Sequence, residues 1–263
     1  MNIKVIKRWI QAAIVAGLAS ATDGAAQDGP RVAAASDLKF ALDEIAAAYR
    51  QETGAPVTVV YGSSGNFTRQ IQQGAPFELF LSADEGFVFQ LADAGLTRDR
   101  GELYAEGRLV IFAPKQSRLR ADASLASLRA SLASGHINRF AIANPEHAPY
   151  GRAAEQVLKG QGLWDAIQSR LVLGENVSQA AQFALSGSAE GGIFAYSLAL
   201  SPMVRDRGTY ALLPGEWHAP LRQRMVLMKK ASPTATRFYA FLLAPAARAV
   251  FRKYGFVLPG ESS

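Results

Sequence analysis

The sequence predicts an α/β protein of two lobes, each a mostly parallel sheet flanked by helices, with a cleft between them. Short apolar runs alternate with segments of helical period, the pattern of βα units. The alternation also starts a second time part-way along the chain. Finally, the turns that lead from strand into helix carry glycine, serine and asparagine, as in VYGSSGN at 60–66.

Arg31 to Ala35 reads as the first strand, followed by a helix with Leu38, Leu42, Ile45 and Tyr49 on its apolar face. Pro56 to Tyr61 is the next strand, and Phe67 and Ile71 mark the helix after it. Glu78 to Leu81 predicts a buried strand, then a helix through Val88, Leu91 and Ala92. Leu109 to Ala113 is a strong apolar strand ending at Pro114. The second series has strands at Arg139 to Ala143, Leu171 to Leu173 and Gly192 to Tyr196. Its helices run from Gly151 to Lys159 and from Ser178 to Leu185. Gln223 to Met228 is a late strand, and one helix is expected from Thr234 to about Tyr254. The expected lobes are 27–108 with 224–263, and 109–223.

Residues 1–26 read as a signal peptide. Lys4, Lys7 and Arg8 form a positive start, Trp9 to Ala19 a short apolar core, and Gly24-Ala25-Ala26 small residues for cleavage before Gln27. That core is shorter than the roughly 20 residues that span a bilayer. The expected product is soluble and exported. It has no cysteine, which excludes disulfides, thiolate metal sites, a cysteine nucleophile and a lipid anchor on an N-terminal cysteine. The formal charge of +6 is scattered, without the basic run of a nucleic-acid arm. His136, His147 and His218 lack metal-ligand spacing and read as surface or loop residues. There is no GxSxG elbow or Walker motif, so a secreted hydrolase is the remotest alternative.

Four strand-to-helix junctions share one chemistry: Ala35-Ser36-Asp37, Gly62-Ser63-Ser64-Gly65-Asn66, Pro149-Tyr150-Gly151 and Asn176-Val177-Ser178. In an open α/β sheet such junctions lie at the carboxyl ends of strands, where ligands bind. Unpaired amides in a helix's first turn, at the positive end of its dipole, suit an anion. The alternative is that Ser36, Asn66 and Ser178 only cap their own helices.

The stretches VAAASDL (32–38), VVYGSSGNFTRQIQQGAPFELFLSADE (59–85), IANPEHAPYGRAA (142–154), ENVSQA (175–180) and FRKYGFVLPG (251–260) resemble the molybdate-binding periplasmic proteins of ABC transporters. The resemblance implies a type II solute-binding fold that closes on a tetrahedral oxyanion, molybdate or tungstate, in the inter-lobe cleft. It implies hydroxyl donors at Ser36 and Ser64 and backbone donors at Tyr150 and Val177, with Ser63 a weaker candidate. It also implies periplasmic action, as a monomer and without catalysis, delivering the anion to a membrane ABC permease whose ATPase is a separate chain. No cofactor, free metal ion or nucleic acid is expected. Asp37 departs from members with a neutral residue there. It is expected to point outward and support its helix start; pointing inward it would favour a protonated anion such as phosphate. Sulfate is a further alternative. A ligand tyrosine of some members is not matched, since its position holds Ala195, with Tyr196 one residue beyond.

Overall fold

The computed structural model describes residues 29–261, so the expected signal peptide lies outside the described residues. The first series is β1 (Arg31–Ala35), α1 (Lys39–Thr53), β2 (Thr58–Gly62), α2 (Ser64–Gln72), β3 (Leu79–Ser82), α3 (Glu85–Asp93) and β4 (Glu102–Gly107). A second follows: β5 (Leu109–Pro114), α4 (Ala126–Ala133), β6 (Phe140–Ala143), α5 (Pro149–Gly160), α6 (Trp164–Ile167), β7 (Leu171–Gly174), α7 (Val177–Leu185), β8 (Gly191–Ala195), α8 (Tyr196–Ala199), α9 (Pro202–Arg205) and β9 (Gly208–Leu212). The chain then returns as β10 (Leu221–Leu227), α10 (Pro233–Leu242) and α11 (Pro245–Lys253).

These strands form two five-stranded sheets, ordered β2-β1-β3-β10-β4 and β7-β6-β8-β5-β9. The plans correspond strand for strand. In each, three parallel strands of successive βα units lie together, and the fourth runs antiparallel to both of its neighbours. The two fourth strands, β10 and β5, each begin directly after a crossing from the other lobe. The outgoing crossing is Arg108 alone; the return occupies 213–220. β10 therefore joins the first sheet from Leu221, ahead of the boundary at 224 that the sequence suggests.

Strand periodicity sets the packing of the first lobe. Successive side chains alternate faces, so Val32 and Ala34 join one cluster with Leu42, Ile45, Phe238 and Phe251, while Ala33 joins another with Phe67, Ile71, Val88 and Leu91. In the second lobe β5, β6 and β8 are buried throughout beneath α5 and α7.

Three expectations change. The edge strands β4 and β9, and helix α4, were not anticipated. The single closing helix is two helices, because Pro245 has no N–H to continue α10 and instead supplies the first residue of α11. None of the described helices is long and apolar enough to cross a membrane.

Phe238 is fully buried, with its ring 5.0 Å from that of Tyr49 in an edge-to-face contact. Phe238→Ala removes a filled core volume and is expected to cost about 3–5 kcal/mol, read as a lower urea midpoint at unchanged slope.

Candidate functional site

The four junctions meet. Ser36 follows β1 in a 3-10 turn, and Ser63 and Ser64 follow β2; Tyr150 lies just beyond β6, and Val177 beyond β7. The strands are neighbours within each sheet, β1 beside β2 and β6 beside β7. Their carboxyl ends face one another around a cavity of about 10 Å³, lined by Ala35, Ser36, Asp37, Gly62, Ser63, Ser64, Ala83, Ala148, Pro149, Tyr150 and Val177. All six candidate residues are on that wall.

Local geometry decides which groups can donate. Ser63, not Asn66, caps α2: its Oγ accepts from the Asn66 amide at 3.4 Å. Asn176, not Ser178, caps α7 by accepting from the Gln179 amide at 3.1 Å. Ala35 occupies the cap position before Ser36. Capping therefore does not account for Ser36, Asn66 or Ser178. Ser64 is fully buried, and its Oγ accepts from the Ala83 amide at 3.0 Å. A hydroxyl that accepts in this way keeps its proton to donate. The amides of Ser64, Tyr150 and Val177 stand in the first turns of α2, α5 and α7, where helices have no internal carbonyl to offer.

Ser36 spans the cleft. Its hydroxyl donates to Asn176 Oδ1 at 3.0 Å and accepts from the Ser178 amide at 3.2 Å; the Ser178 hydroxyl donates back to the Ser36 carbonyl at 2.9 Å. Ser63 spans it too, through a 2.9 Å bond between its Oγ and His147 Nδ1. The Gly65 amide donates to the His147 carbonyl at 3.0 Å, and Asn66 donates to Glu175. His147 lies in the loop between β6 and α5, within the expectation of a surface or loop residue, but it is buried. It is 6% exposed, with Glu175 3.6 Å from its other ring nitrogen. At the rim Arg152 pairs with Asp84, its guanidinium 5.0 Å from the Phe87 ring centre.

Asp37 also corrects an expectation. It does not point outward: it is 1% exposed, and its Oδ2 accepts from the Tyr150 hydroxyl at 3.0 Å and from Gln223 Nε2 at 2.6 Å. Gln223 Oε1 in turn accepts from the Tyr104 hydroxyl at 2.8 Å. Asp37 Oδ1 has no hydrogen-bond partner. Burial pushes the Asp37 pKa up to about 6, against the downward pull of the bonds from Gln223 and Tyr150 and smaller contributions from the Asp37 and Leu38 amides. Burial, reinforced by the Asp37 charge, holds the Tyr150 and Tyr104 hydroxyls well above their ordinary values, so both remain donors. Room for this set comes from Gly107, where a Cβ would lie 2.1 Å from Tyr150 Oη.

Gln223, His147, Asn176 and Gly107 were not singled out as functional from the sequence. Gln223 did leave a signal. In LRQRMVL it takes the inward position between Leu221 and Met225, a polar residue where the alternation calls for an apolar one. Tyr196 lies away from the cavity, packed beneath the Arg108 guanidinium and against Gly255. His136 bonds to Arg118 and Ser134, and His218 is half-buried, with Nδ1 2.8 Å from the Ala219 carbonyl oxygen. Among the described residues no cluster of three or more His, Asp or Glu could hold a metal ion.

A cavity between two such lobes, lined by helix first turns, is the arrangement of a small-solute receptor. The family model described as bacterial extracellular solute-binding protein matches residues 30–257. The chain belongs to this family. Among curated members, the molybdate-binding protein ModA of Rhodobacter capsulatus is 36% identical over 228 residues, 86% of each chain. The protein of the same name from Azotobacter vinelandii is 34% identical over 249 residues, covering 94% of this chain and 96% of that one. The solved periplasmic molybdate-binding protein of Azotobacter vinelandii superposes with a TM-score of 0.80 at 31% identity, over 88% of this chain and 99% of its own.

The inter-lobe seam of this solute-binding protein predicts a variant that folds but closes poorly. A Cβ at Gly65 would lie 2.7 Å from the His147 carbonyl oxygen, on backbone that cannot swing aside. Gly65 is in the first turn of α2, where alanine is tolerated. Gly65→Ala is expected to keep its circular dichroism spectrum and show a larger radius of gyration by small-angle X-ray scattering.

Proposed function

We propose that this solute-binding protein captures molybdate or tungstate between its lobes and, as a single exported chain in the periplasm, delivers it to a membrane ABC permease with a separate ATPase. No reaction is catalysed. Cleavage of residues 1–26 would release the mature chain. The observation that carries the reading is the convergence of Ser36 and Ser64 from one lobe with Tyr150 and Val177 from the other on a single small cavity. At about 10 Å³ it lies far below the roughly 300–1,000 Å³ of pockets that hold organic ligands. It offers hydroxyl and amide donors, and a fully deprotonated dianion has only acceptors. The relatives that span most of this chain are molybdate-binding proteins, which supports the same anion here.

The roles follow from the geometry. Ser64 has its Oγ held by the Ala83 amide and its proton free, so it donates to the anion. Tyr150 and Val177 donate through their amides. Ser36 would turn its proton from Asn176 to the anion while still accepting from Ser178. Ser63 contributes less, as its oxygen is engaged by Asn66 and His147. Because the donors come from both lobes, the anion binds the closed form more tightly than the open one and shifts the population towards it.

A second reading keeps the fold and exchanges the ligand for phosphate. Its specific support is the buried carboxylate of Asp37 at the cavity, which could accept the proton of a hydrogen phosphate.

Calorimetric titration of residues 27–263 with molybdate, tungstate, sulfate and phosphate separates the readings. Tight one-to-one binding of the first two, with little heat from the others, is expected; preference for phosphate would overturn the ligand. Hydrogen bonds to charged groups contribute about 1.5–3 kcal/mol each. Ser64→Ala should therefore weaken molybdate binding by about tenfold to a hundredfold, and unchanged affinity would remove Ser64 from the site.

A further inference from the structure

Asp37 is the only carboxylate among the residues lining the cavity, and it shares that wall with the groups assigned above to a dianion. No cation faces it. From α5 it meets the Tyr150 hydroxyl, and from β10 the Gln223 amide. From β4 the Tyr104 hydroxyl approaches through Gln223, and from α8 the Ser197 hydroxyl donates to the Asp37 main-chain carbonyl at 2.8 Å. On its own side, Lys39 turns its ammonium to Asp43 at 3.0 Å. Closure on a dianion would thus confine two negative groups in one water-excluded space with no basic side chain between them.

The two carboxylate oxygens are not equivalent. Oδ2 already accepts two hydrogen bonds, one from the other lobe, whereas Oδ1 is buried without a partner. A proton placed on Oδ1 breaks no existing bond, removes the like-charge repulsion and turns the one acceptor-only side chain of the cavity wall into a donor. We propose that closure on the oxyanion takes up one proton from solvent at Asp37 Oδ1, making this residue the element that links capture to pH. The inference rests on the oxyanion reading and adds the proton to it. In the balance, a hydrogen ion leaves water or buffer and an O–H bond forms on Asp37, with no change in the anion.

The direction of the linkage follows. In the open form hydration returns the Asp37 pKa towards its ordinary value. Closure raises it to about 6 by burial, and the anion's charge raises it further. The contribution to closure is complete where the open-form carboxylic acid is already protonated and is lost as pH rises through the closed-form value. Affinity therefore falls with rising pH, approaching about tenfold per pH unit where closure takes up a full proton.

The test is calorimetry of the full mature chain with molybdate at about pH 5.5 in two buffers of different protonation enthalpy, acetate and MES, followed by a series from about pH 5 to 8. The expected result is uptake of close to one proton by the wild type, with affinity declining across the series. Asp37→Asn places a neutral donor and acceptor where the protonated acid would be. It should show no proton uptake, a flat profile and tighter binding than wild type at the alkaline end. Tight molybdate binding by the wild type with no proton exchange and a flat profile overturns the inference while leaving the function intact, whether or not the variant folds. Preference for phosphate, which brings its own proton, also overturns it. Absence of binding by every oxyanion overturns both.

Discussion

The outgoing connection between the lobes is Arg108 alone, and that residue is bonded to both of them. Its guanidinium donates through Nε and Nη2 to the Gly255 carbonyl in the first lobe, at 3.0 and 2.7 Å. Its own carbonyl accepts from the Tyr196 amide in the second, at 2.8 Å, and its guanidinium lies 4.9 Å from the Tyr196 ring centre. Gly255 makes the close approach possible. It has φ of +78°, and a Cβ there would strike the Tyr196 ring at 2.6 Å. One residue is thus bonded to both bodies where the chain first passes between them.

Beyond that crossing the cleft acquires its chemistry without recruiting a charged side chain as the anion's counterpart. Each wall presents the carboxyl ends of two adjacent parallel strands and the first turns of the helices that follow. Backbone amides need no rotamer ordering, and the Ala83 amide already holds the Ser64 oxygen. The donor array is therefore largely organised by the sheets, and closure chiefly brings its halves together. The outer seam of Ser63, His147, Asn66 and Glu175 bonds the two lobes to each other beside the cavity.

The inner parallel strands were legible in the sequence because burial on both faces leaves continuous apolar runs such as FAIA at 140–143. The antiparallel edge strands β4 and β9 were not. β9 exposes Thr209, Tyr210 and Leu212 and is bounded by no distinctive punctuation. In the site, Ser36, Ser64, Tyr150 and Val177 could be read from junction chemistry and family resemblance, since helix starts are local. The direction of Asp37 could not be. It depends on Tyr150 from the other lobe and Gln223 from far along the chain arriving at one carboxylate oxygen. The cap assignments slipped by one position or more for a related reason: the helices begin at Ser64 and Val177, and a serine-rich turn does not announce which hydroxyl is the last one outside.

The position of β10 bears on how the molecule is made. β4 pairs in its sheet only with β10, which inserts between it and β3. While the ribosome has released the chain only as far as the second lobe, β4 has no neighbour to join and β3 keeps one edge bare. The second sheet has all its strands by Leu212, but the first must wait for Leu221–Leu227. The lobe that begins first is completed last, so a polypeptide that ends between Leu212 and Leu221 carries every strand of the second sheet and lacks one of the first.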